Sequence, residues 1–410
     1  MKTGGLTPPR SPILNFNSKD NFMSYASSLS VDSDLDSAVR AVCDDVRRQL
    51  AGQSPDLCFL FVSHAHADGF DDLPTAVRRE LGAKVLLGCT GETVAGSDQE
   101  IEEGPALSLW AGVLPGAELT PFHLEFGETP DGLIAVGYPD DLSDKVTDAR
   151  AVFALGEPYS SVADSVIERL ADELPGVPLL GGMASGGGPQ ANRVFLNDEC
   201  FPQGIVAVLM RGGPKVRSVV SQGCRPIGPT FVVTKSERNI VFELGGKPTI
   251  DRLREFLSEL PARDQRLVQN GLHVGIAMSE YKSTFGRGDF LIANVIGADQ
   301  QLGAIAIGNL VRAGQTVQFH VRDADTADED LVHLLDQHRA ERSSPTKAAL
   351  LFSCNGRGTR LFEEPHHDAA TIQRVLGRMP LAGFFAQGEL GPVGGKNYIH
   401  GFTASVACFE

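Results

Sequence analysis

The sequence has no apolar run approaching the roughly 18–20 residues needed to cross a bilayer, and its N-terminus lacks the contiguous apolar stretch of a secretory signal. Basic runs are missing too. With 36 Lys and Arg against 52 Asp and Glu, the net charge is −16, and such a field repels nucleic acid and anionic lipid. None of the seven cysteines stands in a CxxC pair, which speaks against a zinc ribbon or a dithiol redox motif. An odd, scattered set of thiols fits a reducing compartment. The glycine turns at 186–188 and 391–395 have neither the GxGxxG spacing nor the lysine and hydroxyl of a phosphate-binding loop. These absences leave a cytoplasmic protein for which nucleic-acid partners, a membrane and a cofactor are not expected.

What is present is a chain of 410 residues, 42% apolar and 21% charged, long enough for two or three cores. Residues 1–22 are rich in Pro, Gly, Ser and Asn without periodicity and read as a disordered tail. After Ser24 the pattern changes. Val31, Asp32, Ser33 and Asp34 form a helix N-terminus signal before Leu35, Val39, Val42, Val46 and Leu50, spaced three and four apart. A unit then recurs: an apolar strand, an amphipathic helix, a strand carrying Leu-x-Gly, and a returning strand. The first copy is read at 57–62, 71–81, 85–92 and 105–113. The second spans 152–155, 161–174, 177–185 and 205–210, with a short strand at 194–196. The last spans 350–352, 368–378, 381–383 and 403–409, and a degenerate copy is read at 273–278, 290–296 and 304–307. This grammar predicts an α/β fold of strand-helix-strand-strand units. They form packed mixed sheets with helices outside, in two pseudo-symmetric halves. The break between halves is expected at the Gly-Gly-Pro punctuation of 212–214, giving domains 23–213 and 214–410.

Polar groups concentrate where apolar strands end on glycine. Arg357 follows Cys354, Asn355 and Gly356, and a guanidinium at such a strand end can grip a carboxylate in a bidentate fashion. Its alternative role is a structural ion pair with Glu389 or Glu92. Those two glutamates each follow a glycine and could hold a ligand ammonium group or cap a turn. Arg225 beside Cys224 adds a second cation and a thiol. His400, just before the last strand, is read as a hydrogen-bonding contact or a core histidine. The expected ligand site therefore comprises Arg357, Arg225, Glu389, Glu92, Cys354, Asn355, Cys224 and His400, in a cleft between the halves. A competing reading is a hydrolase. Cys354 with His400 permits a nucleophile–base pair, and His64, Ala65, His66, Ala67 and Asp68 spell the HxHxD that opens some dinuclear metal sites. Gly69 stands where that pattern wants another histidine, so His64, His66 and Asp68 are weak metal candidates and no bound metal is expected.

Several longer strings carry a resemblance: GCTGETVAG, GPALSLWAG, LLGGMASGGG and VFLND in the first half, then QGCRPIGPTFVVTK, GQTVQFHVRDADTADEDL, LLFSCNGRG and GFFAQGELGPVGGKNYIHGFTA in the second. In these the chain resembles the FIST family, named for F-box and intracellular signal transduction proteins, from about Ser24 to the end. The resemblance assigns 23–213 to a FIST N-terminal domain and 214–410 to a FIST C-terminal domain. It implies a non-catalytic cytoplasmic sensory module that binds a small polar metabolite, such as an amino acid or related carboxylate, and passes the signal to a downstream protein.

Overall fold

The computed structural model describes residues 23–129, 132–282, 284–286 and 288–410; the predicted tail, 1–22, lies outside them. Three copies of one unit build the framework. Each contains a single pair of parallel strands joined by a helix: Leu57–Ser63 with Val85–Gly91, Ala149–Gly156 with Leu179–Met183, and Ala348–Cys354 with Leu381–Ala386. The crossover helices are Leu73–Leu81, Ala163–Glu173 and His367–Leu376. An antiparallel strand returns beside the first of each pair (Leu107–Val113, Ile205–Gly212 and Ala404–Phe409), and one more strand lies outside it in the first and third copies, two in the second. In the first copy that outer strand is Ser24–Ser30, which the sequence reading had not resolved from its surroundings.

The glycine of each Leu-x-Gly has a structural cause. A Cβ built on Gly88, Gly181 or Gly383 would overlap the carbonyl oxygen of Leu60, Ala154 or Leu351 on the parallel neighbour. Only hydrogen fits there, so the repeated glycine marks the same point of close approach in all three copies.

The hairpins depart from the expected grammar, because none completes the sheet of its own unit. The hairpin of the first copy, Val94–Gly96 with Gln99–Ile101, pairs with Leu381–Ala386 of the third. That of the third, Glu389–Val393 with Lys396–His400, pairs with Leu179–Met183 of the second. That of the second, Val194–Leu196 with Glu199–Phe201, pairs with Val85–Gly91 of the first. Each parallel pair would otherwise expose an unpaired edge. The exchange closes all three edges in a cycle.

The inner faces of the three sheets share one core. Phe59 packs edge-on to Phe153 (5.2 Å between centroids), Phe61 stacks on Phe384 (5.2 Å), and Trp110 lies 4.8 Å from Phe409. These rings come from three different units and are fully buried. Helices cover the outer faces. Leu35–Gln49, whose start falls at the signal read at 31–34 with Asp34 as the capping residue, packs with Leu73–Leu81 on the first sheet. Ala163–Glu173 covers the second, and Ala324–Glu341 with His367–Leu376 covers the third.

A fourth sheet interrupts the third unit between Val216–Ser221 and Ala324–Glu341. Its long strand Arg225–Glu237 pairs with Thr316–Val321 on one side and with Ile240–Leu244 on the other, so the sheet closes into a barrel. All its pairs are antiparallel. The segments at 273–307 are strands as expected, but they belong to this barrel and lack the parallel pair of the repeat. Helices Thr249–Glu259 and Ala262–Asn270 pack against it.

Candidate functional site

The C-terminal ends of the parallel strands meet where the three units join, and Ser185 ties them together. Its amide donates to Thr90 O (3.1 Å), its hydroxyl donates to Phe385 O, and Glu92 N donates to its oxygen (2.9 Å). Beside this junction, at the end of strand Ala348–Cys354, lies a buried polar cluster.

Arg357 is its centre and is fully buried. Its bidentate partner is a carboxylate of the protein itself, as in the structural alternative, but it is Asp368, not Glu389 or Glu92: Nε to Oδ2 and Nη2 to Oδ1 are both 2.7 Å. Helix His367–Leu376 begins beside the strand end and presents Asp368 from its first turn. Ser353 Oγ (2.6 Å) and His367 Nδ1 (2.9 Å) donate to the same carboxylate. Burial alone would raise the Asp368 pKa; the Arg357 charge and these hydrogen bonds instead hold it well below the usual carboxylate range. Arg357 keeps Nη1 without a partner, against Gly223.

Two more carboxyl groups adjoin this pair. Glu389 accepts from Thr403 N (2.9 Å) through Oε2, while Oε1 is buried without a partner. Glu100, from the donated hairpin of the first unit, accepts from Ala369 N (2.8 Å) through Oε1, and its Oε2 is likewise unpartnered. Burial pushes both up to about 8, with the Asp368 charge adding to the effect at Glu100. They are therefore largely protonated at neutral pH, poised to donate as well as accept. The barrel supplies the opposite wall. Arg322 lies 3.9 Å over the Phe402 ring and donates to Cys224 Sγ (3.2 Å), and its Nε has no partner. His273, ring to ring with Phe402 at 6.2 Å, has an unpartnered Nδ1; burial, then Arg322, lowers its pKa to about 3.

Of the eight residues expected at a ligand site, the structure thus gathers Arg357, Glu389, Cys354 and, through Arg322, Cys224. Asn355 stands at the rim with a buried, unpartnered Oδ1. Three are parted from the cluster, each by a nearer partner. Arg225 pairs with Asp264 on the barrel's helix Ala262–Asn270. Glu92 pairs with Arg360 at the surface. His400 turns its Nε2 to Gly391 O (2.9 Å), and burial lowers its pKa to about 4. The hollows of several hundred Å3 lie elsewhere, and the one that Cys224 lines, with Gln222, His320 and Asp330, measures about 20 Å3. Asp368, Glu100, Arg322 and His273 were missed. Arg322 lay in a string the sequence marked out (VQFHVRDADTADEDL), and Asp368 opens the helix read at 368–378 of the same unit; Glu100 reaches the cluster through hairpin exchange and His273 through barrel docking.

The hydrolase constellations are not assembled. Cys354 is held protonated, its thiol pushed up to about 12 by burial and the neighbouring Glu389, and His400 faces away to Gly391. His64 packs against Gly186, Gly187 and Phe70, whereas His66 lies in the field of Asp32 and Asp34. Among the described residues no group of three or more His, Cys, Asp and Glu is placed to hold a metal ion. Nor, among them, is any helix long and apolar enough to cross a membrane.

Comparison with known proteins agrees with this architecture. The FIST N domain matches residues 56–247 and the FIST C domain matches 250–392. The first match runs from strand Leu57–Ser63 through the second unit into the start of the barrel, and the second covers the rest of the barrel and the third unit as far as Pro392. An uncharacterized protein of Mycobacterium tuberculosis is 42% identical over 377 residues, covering 92% of this chain and 97% of its own. An uncharacterized protein of Mycobacterium bovis is 40% identical over 368 residues, covering 88% and 92%. The chain belongs to the FIST family, whose domains are generally sensory domains of signal transduction.

Proposed function

We propose that this protein is a cytoplasmic sensory module, not an enzyme, and that the cluster around Arg357 is where it contacts a small polar metabolite. The observation that carries this reading is the concentration of buried polar atoms without partners: Arg357 Nη1, Arg322 Nε, Glu389 Oε1, Glu100 Oε2 and His273 Nδ1. Buried polar groups are ordinarily satisfied, and leaving one unmade costs about 1–3 kcal/mol. Guanidinium groups and carboxyl groups left open in one cluster match a ligand with both an anionic and a hydrogen-bonding cationic end, as in an amino acid. The cluster is closed by the barrel, so binding couples to the barrel's position against the third unit. That coupling supplies a signal a downstream partner can read.

The test is a thermal-shift screen of amino acids and small carboxylic acids, since a ligand bound only by the folded protein raises its melting temperature. Glu389→Gln keeps an acceptor for Thr403 N and is the informative variant, because truncating Arg357 would strand Asp368 in the core. A hit whose shift disappears in Glu389→Gln supports the site. Hits that shift wild type and variant equally place the ligand elsewhere, and the absence of any hit removes the metabolite reading.

A further inference from the structure

A second hollow, remote from Arg357, forms where the barrel leans on the second unit. It measures about 540 Å3, within the range of small-molecule sites. The barrel is inserted in only one of the three units, so the other two have no equivalent of this hollow. Five aliphatic side chains line it, Ile167 from helix Ala163–Glu173, Ile296, Ile307 and Leu310 from the barrel, and Ile399 beside Tyr398 from the donated hairpin, with the neutral amides of Asn239, Asn309 and Asn397 between them. Ile296 and Leu310 stay 62% and 64% exposed, although each would gain about 1.5–3 kcal/mol from full burial.

Charge at the hollow has one sign. Asp164 and Glu168 stand at its edge, and no lining side chain is basic. Four residues apart on one helix, the two carboxylates are neighbours that repel each other. Among the described residues neither has an ion-pair partner, whereas Arg169 and Glu173 on the same helix pair with one another (2.7 Å). An aliphatic wall with two uncompensated carboxylates at its edge is complementary to one kind of molecule, a cation on an apolar body.

We propose that this hollow binds an organic ammonium ion with an alkyl or aryl tail. The tail would lie along Ile296, Leu310 and Ile399, and the ammonium group would sit between Asp164 and Glu168. The volume suits a tail of several carbons, and the tail's removal from water supplies most of the binding. The two carboxylates supply the selection for charge, which salt weakens because they lie at the surface.

The experiment uses the full chain and three matched probes: hexylamine, hexan-1-ol and hexanoate, titrated by ligand-observed NMR at low salt. Hexylammonium is expected to bind at least tenfold more tightly than hexanoate, with hexanol between them. Replacing both carboxylates (Asp164→Asn with Glu168→Gln) should weaken hexylammonium about tenfold and leave hexanol unchanged. Leu310→Ser, at a site exposed enough to leave folding intact, should weaken all three. Equal binding of hexylammonium and hexanoate overturns the proposal, as does a double-carboxylate variant that binds the amine like wild type. Sedimentation supplies the remaining outcome: a wild-type dimer that Leu310→Ser dissociates would show that the hollow is a contact between copies and overturn the ligand reading.

Discussion

Glu389→Gln probes the central cluster through its pH dependence. In the folded chain the Glu389 pKa is about 8, raised from 4.5 by burial. In the unfolded chain the carboxyl returns to its ordinary range near 4.3. Below that range both states hold the proton and the group adds no slope. Between the two values the folded state binds a proton that the unfolded state has lost, so stability falls as pH rises, by about 1.4 kcal/mol per pH unit for one fully linked proton. Above about 8 both states are ionised and the loss is complete. Glu100, also at about 8, adds a slope of the same sign. The two sites share the field of Arg357, so their titrations need not add independently. Asp368 has the opposite sign. Its folded pKa is depressed, and its contribution is present above the ordinary carboxylate range and lost only as pH falls through the depressed value. Between pH 5 and 8 Asp368 is therefore silent. His273 and His400, lowered to about 3 and about 4, add the opposite slope until the unfolded histidine range of about 6.5 is passed, so urea denaturation at half-unit steps from pH 6.5 to 9 is the window in which wild-type stability should decline. Glu389→Gln should lose roughly half of that decline, gaining on wild type by up to about 1.4 kcal/mol for each pH unit below about 8. An unchanged slope in the variant would mean that Glu389 is ionised in the folded state, and the picture of protonated, donating carboxyls at Arg357 would fail.

Asp368→Asn leaves the Arg357 guanidinium buried without its counter-charge and should cost about 3–5 kcal/mol at pH 7 by urea denaturation. The double change Arg357→Met with Asp368→Leu should recover much of that loss, because an apolar pair of similar volume has no charge to desolvate. Gly383→Ala drives a methyl group into the Leu351 carbonyl and should lower stability by about 1–3 kcal/mol, read as a shift in the urea midpoint at constant slope. Cys354, with its thiol raised to about 12, should react with iodoacetamide at pH 8 far more slowly than a free thiol, followed by mass spectrometry. Rapid alkylation of the folded protein at that residue would contradict the burial assigned to it.

Local chemistry alone was enough for the elements and their recurrence. Apolar runs, the acidic helix start before Leu35 and the Leu-x-Gly signature act over a few residues, and they identified the parallel pair, crossover helix and returning strand of all three units, though not outer strands such as Ser24–Ser30. The same signals picked out Arg357 and Glu389 as strand-end groups of one cluster. They could not say which hairpin closes which sheet. A donated hairpin and a native one carry the same turn and the same side-chain alternation, and the choice rests on edges more than 100 residues apart in the chain. Partner choice at the site follows the same rule. Arg225 and Arg357 both read as free cations at glycine turns, yet helix Ala262–Asn270 brings Asp264 to one and helix His367–Leu376 brings Asp368 to the other. The short-range pattern names which residues can be charged or apolar at a strand end. Only packing decides which of them share a desolvated space, because a charge takes the counter-charge that the assembled fold places beside it.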